Sequence, residues 1–207
     1  MEVFVDDSQV DGDFIADHTL EDALRHVQSN LCAPDQVVVG LRCDGEDVPP
    51  NGMADALKKS ALTFNRLEVF TSKRERLILD AMSQALAALG DTETACQRIA
   101  GLLTEGKTVE GVQALGECLG IWQKIHEAVT HSIQMLELDP EQIAVGNESL
   151  VHVLCRPKEV LLRVKQALQS QDYVLLSDIM QYEFGEVTQQ WHNVIDVLQR
   201  RANDPAE

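Results

Sequence analysis

The sequence predicts an α+β protein, a strand-rich N-terminal unit followed by a larger helical one. Before Lys73, apolar residues alternate in short runs; beyond it they recur every three or four positions over long stretches with few interruptions. Alternation is the period of a half-buried strand, and three-four spacing is that of one helix face.

Met1 to Val5 reads as a strand with Met1, Val3 and Val5 on one face, and Val10 to Ile15 as a second strand after the polar stretch Asp6 to Gln9. Thr19 precedes Leu20, Glu21 and Asp22, where its hydroxyl caps the first helical amides and the acids suit the positive end of the helix dipole. Leu20, Leu24, Val27 and Leu31 then share a helical face, and Pro34 ends the helix. Val37 to Cys43 forms a third strand, with Val37, Val39, Leu41 and Cys43 alternating against Val38, Gly40 and Arg42. Asp44 and Gly45 turn the chain into a short strand. A helical segment from Met53 to Lys58 and a last strand from Arg66 to Thr71 follow.

The order strand, strand, helix, strand, short strand, strand over residues 1–72 resembles the ubiquitin-like β-grasp fold, a mixed sheet packed over one helix. Members that are conjugated or carry sulfur end in an exposed Gly-Gly. Here Thr71, Ser72 and Lys73 follow Val69 and Phe70 and the chain continues. The resemblance therefore implies a recognition module fused to a second unit rather than a modifier. It also makes the first and last strands neighbours, so Phe4 and Phe70, which alternate away from Val3, Val5, Val69 and Thr71, would share an outer face with Arg42. In a chain with only 4% aromatic residues, two on that face suggest a contact surface, for the helical unit or for a partner.

From Arg74 to Leu103 the spacing predicts one long helix, with an irregularity at Gly90 and an end at Gly106. Val112, Leu115, Leu119, Trp122, His126, Val129, Ile133 and Leu136 then alternate by three and four, the pattern of a bundle seam. A third helix is expected from Glu148 to Gln169, kinked or split at Pro157, and a fourth from Tyr173 to Arg200. At an offset of 65 residues Arg98, Ile99, Leu103 and Val109 match Arg163, Val164, Leu168 and Val174. Short links between such helices imply an antiparallel four-helix bundle. The expected division is thus 1–72 for the sheet unit and 73–203 for the bundle, with 204–207 a disordered tail.

The chain has 34 acidic residues against 17 Lys and Arg, a formal charge of −17. Residues 1–73 hold 14 acids and 6 bases and the rest 20 and 11, so neither part is a basic arm. Nucleic acid and anionic membrane surfaces both require clustered cations and are not expected partners. Five scattered cysteines and the lack of a basic-then-apolar leader point to reduced thiols and a cytoplasmic location.

Catalytic and metal patterns are few. His126 and His131 are five apart, which turns a regular helix by about 500° and leaves the rings about 140° apart, so they cannot share a metal as a pair four apart would. A di-iron bundle needs Glu three residues before His on its helices, and no such pair occurs. Glu127 with His131 and Glu148 with His152 read as surface pairs, and His126 as a core histidine satisfied by a hydrogen bond. Cys96, Cys118 and Cys155 fall within helical patterns, where thiols behave as small apolar groups. Gly111, Gly116 and Gly120 imply close helix approach. No catalytic, cofactor-binding or metal-ligating residue is assigned. Asp178 and Tyr182, one turn apart on the last helix, and Trp191 farther along it are candidates for a binding surface.

These observations favour a non-enzymatic adaptor or chaperone-like protein that binds another protein, through Phe4, Arg42 and Phe70 or through an apolar groove near Trp122 and Trp191. The alternatives are a regulator responsive to a small molecule or metal in a bundle cavity, and an enzyme with an unrecognised site. A homodimer is a further possible arrangement, because bundle seams also pair across chains.

Overall fold

The computed structural model of the chain describes residues 1–10 and 18–204, and the chain divides into two compact units, Met1–Leu77 and Ile78–Glu207. The architecture is α+β, a mixed five-stranded sheet followed by helices.

The first unit contains β1 (Glu2–Val5), β2 (Ser8–Val10), α1 (Leu20–Asn30), β3 (Gln36–Cys43), β4 (Glu46–Asp47), α2 (Met53–Leu57) and β5 (Arg66–Lys73). The sheet order is β2-β1-β5-β3-β4, with central β5 parallel to β1 and antiparallel to β3. Thr19 and Asp22 form a reciprocal capping box at the start of α1, which satisfies amides that have no helical acceptor. Leu20, Ala23 and Val27 of α1 pack into a core with Val3, Leu41, Leu67 and Val69.

Two tight turns hold the edge strands. Asp6 and Asp7 have φ of 46° and 66°, Asp44 and Gly45 of 51° and 87°, the left-handed pairs that match hairpin twist. Both turns are tied to the chain of β5. Asp6 accepts the Thr71 amide at 2.8 Å and also the Thr71 hydroxyl, and Asp44 accepts the Asn65 and Arg66 amides at 2.9 and 2.8 Å.

The structure corrects two strand expectations. The polar stretch Asp6–Gln9 is not a loop before a strand; it is the turn and most of β2, because an edge strand pairs through its backbone and needs no apolar side chains. Residues 11–15 of the expected second strand lie outside the described residues. In β3 the register shifts between Val38 and Gly40, and such an irregularity breaks strict alternation. Val38 packs against the core and Val39 is 50% exposed.

The second unit contains most of α3 (Arg74–Thr104), then α4 (Thr108–Met135), a hairpin of β6 (Ala144–Val145) and β7 (Glu148–Ser149), α5 (Leu150–Ser170), α6 (Tyr173–Asp178) and α7 (Phe184–Asn203). A π-helical segment, Ile179–Glu183, joins α6 to α7. Gly90 does not interrupt α3, and Gly106 follows its end at φ 77°. Pro157 neither ends nor splits α5. A single core cluster draws on α3, α4, α5, α6 and α7. Across the helices, the Ser177 hydroxyl donates to the Ala100 carbonyl at 3.2 Å. Among the described residues no helix is long and apolar enough to cross a membrane.

The seam of α4 lies beside the expected one. Leu115, Trp122, Val129 and Ile133 belong to both, but between them Cys118 and Ile125 are buried while His126 is exposed and Leu119 only partly covered. The shift keeps an imidazole out of an apolar core, where it would need a buried partner, and places an isoleucine there.

The glycines of α4 separate in the same way. An added Cβ on Gly111 would stand 2.7 Å from Leu103, whereas Gly116 and Gly120 have open space. Close approach therefore applies to Gly111 alone, since five residues turn the helix by about 140° from one face to another. A Gly116→Ala, Gly120→Ala double variant should gain about 1–2 kcal/mol in urea unfolding, because helix-interior glycine costs about 0.5–1 kcal/mol each relative to alanine. Gly111→Val should instead lose about 1–3 kcal/mol, the usual range for overpacking.

Candidate functional site

Phe4, Arg42 and Phe70 come together on one sheet face. Phe4 pairs with Glu68 across β1 and β5, Arg42 pairs with Glu68 across β3 and β5, and Phe70 faces Gly40. The Arg66 guanidinium lies 4.0 Å from the centre of the Phe4 ring, and that of Arg42 lies 5.2 Å from Phe70. Glu68 sits between them, 2.6 Å from Arg66 and 3.5 Å from Arg42, while Arg42 also meets Asp47 at 2.8 Å. Each aromatic ring is thus stacked by a cation of the same sheet, and each cation has a carboxylate. Glu68 is only 15% exposed in its side chain, which strengthens its two contacts relative to pairs in open water.

The second site is a groove of about 710 Å³ between α4 and α5. Its apolar lining is Leu119 and Trp122 from α4 and Leu154, Pro157, Leu161 and Leu162 from α5; its polar rim is Gln123, His126 and Glu127 on one side and Lys158 and Lys165 on the other. A volume of this size is ordinary for a ligand site. Helix periodicity produces the arrangement: Val153, Val160 and Val164 point into the core, and the residues beside them face the groove.

Trp122 supplies the floor. Its ring stands 5.4 Å from Phe184, edge to face, and 5.0 Å from Trp191; His126 stacks at 5.6 Å on Trp191. Trp191 is fully buried and does not line the groove. Expected beside Trp122 as part of the groove, it instead supports the floor from the core side. On the groove rim the Gln123 side-chain amide donates to Glu127 at 2.9 Å. Asp178 and Tyr182 are exposed at the end of α6 and in the π-helical segment, Tyr182 by 61%; neither lines the groove. The groove residues of α5 were missed by sequence reasoning, although Leu154, Leu161 and Leu162 beside a core stripe of valines were the available signal.

Cys43, Cys96 and Cys118 are packed as small apolar groups, whereas Cys155, expected to pack likewise, is not. Cys96 and Cys118 are buried and share a hydrogen bond, which pushes Cys96 up with burial adding to it, and draws Cys118 down. Burial also raises Cys43 and Cys32. Cys155 is exposed. Among the described residues no three His, Cys, Asp or Glu side chains converge as a metal site.

A family model described as a domain of unknown function (DUF8042) matches residues 80–194. The match covers more than half of the chain, and the protein belongs to this family. It includes every groove residue and excludes the five-stranded sheet. No curated protein and no solved structure matches the chain.

The burial pattern sets thiol reactivity. Titration of the native protein with Ellman's reagent should modify Cys155 at once and Cys32 more slowly, with Cys43, Cys96 and Cys118 reacting only after unfolding; rapid release from Cys96 or Cys118 would contradict their packing.

Proposed function

We propose that the protein is a non-enzymatic protein-binding adaptor or chaperone-like protein, acting in the cytoplasm, and that the groove between α4 and α5 receives its partner. The observation that carries this is the groove itself, an apolar trough beside Leu162, which is 51% exposed, bordered by polar side chains. Apolar concavities with polar rims are where proteins take segments of other proteins. Its position inside the matched family segment supports a role for the groove that the family shares.

The N-terminal unit is, in this proposal, a ubiquitin-like β-grasp module, supported by its strand order and by the parallel β1–β5 pair. The helices form an antiparallel four-helix bundle, in which α6, the π-helical segment and α7 together make the fourth helix; the brief links at residues 105–107 and 171–172 support it. The face of Phe4, Arg42 and Phe70 is a second contact surface. Its internally paired charges favour a weaker role than that of the groove, since a partner would have to replace contacts already made.

Capture from source-cell lysate tests the function. The native protein should retain a partner that Leu162→Asp loses, with both proteins folded by circular dichroism and the Phe4→Asp, Phe70→Asp variant still holding it. Equal retention by Leu162→Asp, or no protein retained by the native chain, would remove the groove as a binding site.

A further inference from the structure

We infer that the groove selects an acidic amphipathic helix of about three turns, with acidic residues seven apart along the side that faces α5. This rests on the protein-binding function and names the chemistry of the partner. The inference comes from the two sides of the groove, which differ in charge. On α5, Arg156 pairs with Glu148 at 2.8 Å and Arg163 with Glu183 at 2.5 Å, but Lys158 and Lys165 have no ion pair among the described residues. Both are exposed, and both line the groove. In a chain with twice as many acids as bases, two cations left without carboxylates on one edge of an apolar trough are complementary to an acidic ligand.

Spacing narrows the ligand further. Lys158 and Lys165 are seven residues apart, two turns or about 10 Å along α5, with Leu161 and Leu162 between them. One carboxylate cannot meet both, which disfavours a fatty acid; acids seven apart on a helix lie on one side and can. From Leu154 to Lys165 the α5 wall runs about 16 Å, the length of three helical turns. The opposite rim carries Glu127, bonded to Gln123, so the acidic side of the ligand is directed to α5. An amphipathic helix also turns its own polar face to solvent, which an open groove requires and a bare acyl chain cannot provide.

The test is selection from a display library of helical peptides randomised on every face, followed by affinity measurement on the full chain by anisotropy of the labelled peptide. Enriched peptides should carry an apolar stripe flanked by acids seven apart. Lys158→Glu with Lys165→Glu should weaken them by roughly tenfold or more, while the double arginine variant retains binding. Because Trp122 and Trp191 are the only tryptophans, a change in their emission on binding reports occupancy of this groove. No enrichment, enrichment of basic or neutral peptides, or indifference to the charge reversal would overturn the inference. So would a change of emission with oleate and none with peptide, or a native dimer that Leu162→Asp makes monomeric, since the occupant would then be a lipid or a second copy. A lysate partner lost with Leu162→Asp but indifferent to the reversed lysines would leave protein binding standing and remove only the acidic helix.

Discussion

Trp122 fixes how α4 is rotated in the helical unit. Its ring meets Phe184 and Trp191 together, and these lie seven residues apart on α7, two turns on one face, so one α4 side chain holds both. Aromatic pairs of this kind add about 0.5–1.5 kcal/mol each beyond the area they bury. With Trp122 turned inward, Ile125 and Val129 follow it into the core, and Gln123, His126 and Glu127 must face outward. The polar α4 rim of the groove is therefore a consequence of a core contact. The contact has a cost, because neither indole N–H has a hydrogen-bond partner among the described residues, and a buried unpaired donor costs about 1–3 kcal/mol.

Two helix irregularities lie in the elements around the groove. Pro157 is buried in α5 and lacks the amide that would bond the Val153 carbonyl, yet the helix continues because its valines are committed to the core on either side. Between α6 and α7 the winding widens at Ile179–Glu183. Ile179 and Phe184 are five apart and both fully buried, though a regular α-helix would set them about 140° apart. The π-helical turn brings both toward one face, and so allows Phe184 to reach Trp122 while Ile179 stays in the core.

Much of the fold was legible in the sequence, and the misses share a physical origin. Long helices and the buried strands announce themselves by periodicity, and Thr19 and Gly106 by their capping chemistry. What periodicity does not determine is phase. On α4, two seams share Leu115, Trp122, Val129 and Ile133, and only the relative cost of burying His126 or Ile125 separates them. The irregularity beside Val39 and the π-helical turn before Phe184 are one-residue changes of phase that tertiary packing imposes. Phe4, Arg42 and Phe70 could be placed on one face because alternation holds along residues 66–70 and 40–43, beyond the irregularity of β3. A groove near Trp122 could be expected from the sequence, but its α5 wall could not, because that depends on which partly apolar faces of α4 and α5 are left without a covering helix.

The two sites differ most in how their charges are balanced. On the sheet, Arg42 and Arg66 converge on Glu68 and cover their rings, so an approaching partner gains little that the surface does not already have. In the groove, Lys158 and Lys165 border apolar surface and have no carboxylate partner among the described residues. A net charge of −17 repels an acidic helix at long range, but at physiological ionic strength that repulsion is screened beyond about 8 Å. Within that distance the nearest charges decide, and along α5 these are the two lysines. For the inferred acidic helix, the overall charge would set how fast it arrives, whereas the lysines would set whether it stays. A protein as acidic as this one can discriminate in favour of an acidic ligand only where its few cations are both local and unpaired, and the α5 edge of the groove meets both conditions.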